Sequence, residues 1–513
     1  MTESKIVTLD QMAEIARRIK AEGRSVVLCH GAFDLMHPGH IRHLTRAREE
    51  GDVLLVTVTG DRFVNKGPGR PVFPEGLRAE TLASLQCVDY VAINHDLTAV
   101  PVLQKIQPTV FVKGQDYKDA EQDLTGNITL EKNAVEAGGG RIFYTEEITF
   151  SSSSLLNENF NLFPPATDSY LRRLKSDRPA AAMIQSLKGL QPLKALVVGE
   201  AILDEYCYST PQGQTGKSGN ILAVQYNYTE QFAGGTLAVA NHLAGFVSEV
   251  TLLAGLGRPG PGRGPNHEAF FRKKLAPNVK PVFFYFEDAP TLVKRRFVDQ
   301  DMNKLFEVYF HDHTPVTQRV EGDIRRWIEG MAPGFDLVLV PDYGNGFITS
   351  GMVDSLCSSA RYLAVNTQLN SGNRGYHVVT RYPRADFVSL NEPEIRLAAH
   401  DRHAPLEEVA GRIADQVKAI HLAVTLGTKG AIMLDRSQGL VHEVPALSTR
   451  VVDRIGAGDA FLALSSLCLA GGLDAETALF VGSVAAALDV QIVCNRESID
   501  PVGLHKYITT LLK

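Results

Sequence analysis

Short apolar runs recur along this chain with helix-like stretches between them, and that alternation leaves few architectures open. In the first part SVVLCH (25–30), DVLLVTVTG (52–60), YVAIN (90–94) and TVFVKG (109–114) are each long enough for one buried strand. Amphipathic stretches lie at about 10–20, from 40 onward, at 75–86 and at 100–106. Runs that are apolar throughout read as strands covered on both faces, and the helices between them serve as crossovers. That pattern builds a parallel, doubly wound α/β sheet. The unit closes with GGGRIFYTEEITFSSSSLLN (138–157), a strand running into a serine cluster and a helix.

Residues 158–190 change character, with prolines, charges and a short helical pattern, and read as a partly helical connector. The alternation then resumes at KALVVG and continues through strands near 250–256, 281–286, 336–341, 361–365, 386–389 and 422–426. Two α/β domains are therefore expected, at 1–160 and 191–513, joined by a connector at 161–190. A chain of 513 residues has ample material for both cores.

A net charge of −6 gives no global reason to bind nucleic acid or an anionic membrane surface. The six cysteines are scattered, form no Cys-x-x-Cys pair and mostly sit in apolar runs, as reduced buried thiols do. The N-terminal stretch lacks a cleavable apolar segment, and no run of about 18 apolar residues occurs, so the chain reads as cytoplasmic.

The first chemical signal is CHGAFDLMHPGH (29–40). A strand that ends at Gly31 and opens a helix near Pro38 presents free backbone N–H groups to an anion. His37 and His40 at that junction can bond phosphate oxygens and stabilise charge on a transferring phosphoryl group. A metal site is the weaker reading, because no cluster of further ligands accompanies the pair. The string resembles the HxGH signature of the cytidylyltransferase-like nucleotidyltransferases, with Gly31, Phe33 and Asp34 in the preceding turn. The resemblance covers about residues 25–157 and implies a Rossmann-like domain. It assigns Lys66 and Arg70 of KGPGRPVFP and Ser152 and Ser153 of the serine cluster to the nucleotide, and Lys113 of VKGQDY to catalysis, with Asp116 beside it. The implied reaction is attack of a sugar phosphate on the α-phosphate of a nucleoside triphosphate, releasing pyrophosphate.

The second signal is DRIGAGDAFLALSSLCLAGG (453–472). Gly-Ala-Gly-Asp before a helix of small residues makes a backbone N–H pocket suited to a transferring γ-phosphate. The adjacent Asp459 can take the proton of an attacking hydroxyl. This string resembles the second signature of the ribokinase-like (PfkB) sugar kinases, with Gly456, Ala457 and Gly458 as the anion hole. The same resemblance runs through 193–513 and implies a small β lid. It places Asp204, Gly234, Gly235, Asn241, Lys294, Arg296 and Asp342 around the sugar, and Thr425, Gly427 and Gly430 on the ATP side. Asn391 and Glu394 of NEPE are tied to Mg²⁺, indirectly. A third string, GQTGKSG (213–219), imitates a phosphate-binding loop but has Pro211 where the first glycine would stand; its position fits the lid.

Together the two halves resemble the bifunctional enzymes of ADP-heptose synthesis, which pair a heptose 7-phosphate kinase with a heptose 1-phosphate adenylyltransferase, but in reversed order. The implied substrates are ATP and a sugar phosphate, with Mg²⁺ as cofactor, no nucleic acid or membrane partner, and a homo-oligomeric assembly. Two departures leave alternatives open: Arg454 replaces the usual threonine, and Asn366-Thr367-Gln368 stands where relatives often carry Asp-Pro-Lys. The kinase half could instead be a sugar-binding regulatory module, or the pair a polyol-phosphate cytidylyltransferase fused to another sugar kinase.

Overall fold

The computed structural model describes residues 5–64, 70–114, 127–145, 163–214, 221–260, 265–286, 289–311, 316–370, 372–373 and 375–513. The chain divides into two compact units, residues 1–165 with 505–513, and residues 166–504.

In the first unit five apolar runs form one parallel sheet in the order β3-β2-β1-β4-β5. These strands are β1 (Val26–Gly31), β2 (Val53–Thr59), β3 (Tyr90–Asn94), β4 (Val110–Gly114) and β5 (Arg141–Thr145). Both faces of β1 and β2 are buried, which is why they read as continuous apolar runs. On one face Met12, Ala16, Leu103 and Ile106 pack on Val26, Leu28, Leu55 and Phe111. On the other, Leu44, Ala47, Ala79 and Leu82 pack on Val27, Cys29, Leu54 and Val56. Each such large side chain contributes on the order of 1.5–3 kcal/mol by leaving water. Thr8 caps the helix Leu9–Ala21 through a capping box with Gln11. The strand order reverses between β1 and β4, and the crevice beyond that switch point is where open α/β sheets bind ligands. The helix Asn127–Ala137 lies in a stretch for which the sequence offered no reading. Lys66, Asp116, Ser152 and Ser153 lie outside the described residues.

In the second unit β6 (Lys194–Gln214) serves two purposes. Its first residues pair in parallel with β8 (Glu249–Gly257) and β12 (Leu337–Asp342) inside the main sheet. From Ala201 onward it pairs with antiparallel β7 (Leu222–Gly235) and parallel β10 (Leu292–Val298), with β11 (Lys304–Phe310) at the edge. One strand thus carries the main sheet into a small lid. The main sheet continues through β9 (Val279–Phe286) on one side. On the other side come β13 (Leu363–Thr367), β14 (Phe387–Asn391) and β15 (His421–Thr425), all parallel. Antiparallel β16 (Ala431–Asp435) and β17 (Leu440–Val444) finish it.

Two helices, Pro165–Asp177 and Ala180–Lys188, occupy the stretch read as a connector. Arg173 reaches Glu476 at 2.7 Å, and Arg178 pairs with both Asp474 and Glu476. The helix Ala457–Ala470 is buried from Ala460 to Leu469, which explains why that stretch holds only apolar residues and small serines. No helix among the described residues is long and apolar enough to cross a membrane.

Candidate active sites

The first site is built where β1 ends. Cys29 sits opposite Val56 on β2 and Val112 on β4, so the turn after Gly31 opens directly over the switch point. Phe33 takes a positive φ of 46° there and turns the chain toward the helix Pro38–Arg48. His37 is the N-cap of that helix, its Nδ1 accepting from the Gly39 N–H at 3.1 Å. His40 lies on the first turn, its ring centroid 4.0 Å from that of His37, with Phe33 edge-on to it at 5.7 Å.

Asp34 is buried and holds the 70–73 segment: its Oδ1 accepts from the N–H groups of Val72 at 2.6 Å and Phe73 at 3.1 Å. Its Oδ2 lies 3.8 Å from the enclosed Arg70 guanidinium. Burial holds that guanidinium below the ordinary arginine range, with Asp34 opposing the shift. Asp34 therefore fixes the 70–73 segment and lies against the enclosed Arg70 guanidinium.

Lys113 is the penultimate residue of β4 and forms a buried ion pair with Glu131 at 2.6 Å. Burial first, and then the Lys113 charge, lower His30 to about 3 and His43 to about 4. Both rings are neutral at physiological pH and hydrogen-bond to threonines: His30 to Thr57 at 2.9 Å and His43 to Thr145 at 2.8 Å. Sequence reasoning missed Glu131 and Arg78. Arg78 is buried and donates to the carbonyls of Ala32, Thr59 and Phe73 and to Asp61, clamping the loop that carries Phe33.

The second site is a cleft of about 320 Å³ between lid and main sheet. Asp459 lies in the first turn of the helix Ala457–Ala470, whose N-cap Gly456 adopts φ 101°. A Cβ at Gly456 would come within 2.7 Å of the Asp489 carboxylate and 2.9 Å of Asn495 Oδ1, so only glycine fits this turn. Gly456, Gly458 and Asp459 all face the cleft, with Ala457 between them. Thr425 at the end of β15 lines it as well, while Gly427 and Gly430 shape the tight turn that follows, at φ 60° and 99°.

From the lid, Asp204, Lys294 and Arg296 enter the same cleft. Asp204 and Arg296 form a buried ion pair, and Arg296 also reaches Glu307 at 3.2 Å. Gly234 is where that pair needs room, since a Cβ there would stand 1.7 Å from Asp204 Oδ2. Gly235, the N-cap of the next helix, lines the cleft beside them. Lys294 is buried, and that burial lowers it from the ordinary lysine range.

Burial raises Asp459 to about 7; a hydrogen bond from Tyr343 opposes the rise, the charge of Asp204 adds to it, and that of Lys294 opposes it. A carboxyl poised near neutrality suits proton acceptance.

Asn241 and Asp342, expected around the sugar, are not among the residues lining the cleft. The Asn241 amide donates to the Lys274 carbonyl and accepts from the Ala276 N–H, bracing a loop. Asp342 is likewise turned away, accepting from Tyr382 at 2.9 Å and Arg381 at 3.1 Å. Its neighbour Tyr343 occupies the cleft instead, because adjacent residues at a strand end face opposite sides.

Asn391 and Glu394 line the cleft, but they form a capping box with each other, and Glu394 also accepts from the Leu369 N–H. Among the described residues no group of three or more His, Cys, Asp or Glu side chains is placed to hold a metal. A magnesium ion fits here only as one carried chiefly by phosphates and water, which is its usual habit. Asn366, Gln368 and Arg454 also line the cleft.

Residues 28–159 match the family model described as cytidylyltransferase-like, and residues 360–498 match that of the pfkB family carbohydrate kinases. In the N-terminal region the chain is 38% identical over 151 residues to the bifunctional protein HldE of Geobacter metallireducens and 39% identical over 151 residues to that of Geotalea uraniireducens. Each match takes in 29% of this chain and 29% of the relative, so less than a third of the relatives' length is spanned. A solved phosphofructokinase-2 from Escherichia coli aligns over 62% of this chain and 99% of its own, at 16% identity and a TM-score of 0.49.

Proposed function

From a chain that joins a cytidylyltransferase-like segment to a segment of the pfkB carbohydrate-kinase type, we propose that one polypeptide carries two sugar-activating activities. The domain at 191–513 phosphorylates a sugar phosphate at the expense of ATP, and the domain at 1–160 transfers a nucleotidyl group to a sugar 1-phosphate. The sugar is a heptose: D-glycero-D-manno-heptose 7-phosphate is phosphorylated at O1, and ADP-heptose and pyrophosphate are the final products. A phosphatase acting between the two steps removes the 7-phosphate.

The observation that carries this reading is the meeting of Asp459 and its Gly-Ala-Gly turn with Asp204, Lys294 and Arg296 in one cleft. The acceptor oxygen bonds to the γ-phosphorus as the bond from that phosphorus to the bridging oxygen breaks, and the electron pair leaves with ADP. The acceptor proton passes to Asp459. The N–H groups of the turn face the charge that gathers on the transferring group. Lys294 and Arg296 hold the anionic sugar; Mg²⁺, held chiefly by the phosphates and water near Asn391 and Glu394, would supply charge neutralisation of the donor. In the other domain His37, His40, Lys113 and Arg70 stabilise charge around the α-phosphate under attack. We read the protein as a cytoplasmic homo-oligomer.

Arg454, Asn366 and Gln368 on the cleft wall favour a second reading, in which the kinase half binds sugar without phosphorylating it. One experiment separates the readings. The protein is incubated with ATP, Mg²⁺ and a panel of heptose and hexose phosphates, and ADP and pyrophosphate are followed separately. Pyrophosphate without ADP for every acceptor overturns the kinase half, and no pyrophosphate with any sugar 1-phosphate of the panel, heptose 1-phosphate included, overturns the transferase half.

A further inference from the structure

Asp459 does not stand alone in its cleft. The Tyr343 hydroxyl donates to its Oδ1 at 2.9 Å, and Tyr343 is itself buried, with 2% of its surface exposed. The tyrosine is held on both sides of its backbone. Its N–H donates to Glu200 Oε2 at 3.2 Å, and its carbonyl accepts from Asn370 at 2.6 Å and Asn373 at 3.1 Å. Glu200 also takes the Asn345 N–H at 3.0 Å, so one buried carboxyl in the first half of β6 ties down the loop that carries the phenol. Lys294 lies 5.8 Å from the centre of the Tyr343 ring. Such a cradle leaves the hydroxyl little freedom other than to face Asp459.

We infer that Tyr343 is a positioning residue for phosphoryl transfer: by occupying Oδ1 of Asp459 it fixes the carboxylate and leaves Oδ2 to take the acceptor proton. The inference rests on the reading of Asp459 as the base. A carboxylate with one oxygen held by a fixed donor cannot rotate away from the acceptor, and orientation of this kind is worth orders of magnitude in rate. The same bond favours the ionised form of Asp459, against the burial that disfavours it. The other charged groups around Asp459 are Asp204 on β6, Lys294 on β10, Glu394 at the head of its helix and Asp489 at the end of Ala475–Asp489. Among the described residues, the side-chain hydrogen bond recorded to Asp459 comes from Tyr343, while Asp204 and Lys294 act on it through charge.

The test compares wild type, Y343F and D459N in steady-state ADP formation from pH 5.5 to 9.5, with ATP, Mg²⁺ and D-glycero-D-manno-heptose 7-phosphate as probe. For Y343F, kcat at pH 7 should fall about tenfold and its acid limb should move up by roughly half a unit or more, with KM for ATP within about twofold. A Y343F profile that superimposes on wild type overturns the inference while leaving the kinase reading intact. Full activity of D459N, or no activity of wild type, overturns the kinase reading and the inference with it. A second measurement needs no turnover: the melting-temperature difference between each protein and its D459N counterpart is followed across the same pH range. Its midpoint should lie higher in the Y343F background, and identical midpoints contradict the proposed bond.

Discussion

Asp342 and Tyr343 are consecutive residues that serve opposite sides of the strand end on which they sit. The tyrosine reaches Asp459 at 2.9 Å, whereas the aspartate accepts from Tyr382 at 2.9 Å and Arg381 at 3.1 Å behind the cleft. Asp342 is 1% exposed, and those donors, with the Gly344 N–H, satisfy its buried side-chain oxygens. Asp342→Asn should therefore act on stability, by about 2–4 kcal/mol, because it leaves the Arg381 charge without its counterion. Denaturant melts would register the loss, and kcat of the folded fraction should change less than about threefold. A large kcat defect with unchanged stability would return Asp342 to the substrate.

The two activities should separate by mutation. Asp459→Asn is expected to reduce phosphorylation by about 10²–10⁴-fold and leave pyrophosphate release intact. His40→Ala should do the reverse. His37→Ala should lower transferase activity too and also cost about 1 kcal/mol of stability, because its Nδ1 caps a helix. Parallel loss of both products in either single variant would refute independent sites.

Asp459 also imposes a pH dependence with a definite sign. Its carboxyl sits near 7 in the folded protein, against about 4 for an unfolded aspartate. Between those values the folded state holds the extra proton, so the contribution to stability is present at low pH and is lost as pH rises through 7. Because Asp459 keeps a partly open face on the cleft, the change from pH 5 to 8 is discounted to about 1–2 kcal/mol. The melting advantage of Asp459→Asn over wild type should thus grow from pH 5 to pH 8. The acid limb of kinase kcat/KM should fall near 7. An advantage that shrinks with pH would contradict this environment.

Gly234→Ala tests how closely the lid is fitted. Its new methyl would overlap the Asp204 carboxylate, forcing it off Arg296 or pushing β7 away from β6. Overpacking of this kind costs about 1–3 kcal/mol. Kinase kcat/KM should fall tenfold or more, about 1.4 kcal/mol of transition-state stabilisation, with nucleotidyl transfer unchanged. Wild-type kinase kinetics in this variant would show that Asp204 does not need its observed place.

Local pattern was enough for much of this molecule. Apolar runs such as DVLLVTVTG announced β2 because a strand covered on both faces must be apolar at every position. HPGH and GAGD marked helix starts because backbone N–H groups left free at a helix end, and a glycine at φ 101°, have few sequence solutions. Those are properties of neighbours in the chain, so the parallel α/β architecture and the heads of both sites could be read in order. Which side chains face which cleft is a different kind of fact. Tyr343 meets Asp459 across 116 residues, Glu131 lies 18 positions beyond Lys113, and Asn241 is spent on the Lys274 carbonyl 33 residues on. These partners are chosen by the packing of strands and loops far apart in sequence. Hydrogen-bond and charge satisfaction inside a low-dielectric core depends on that packing, and only the tertiary structure decides it.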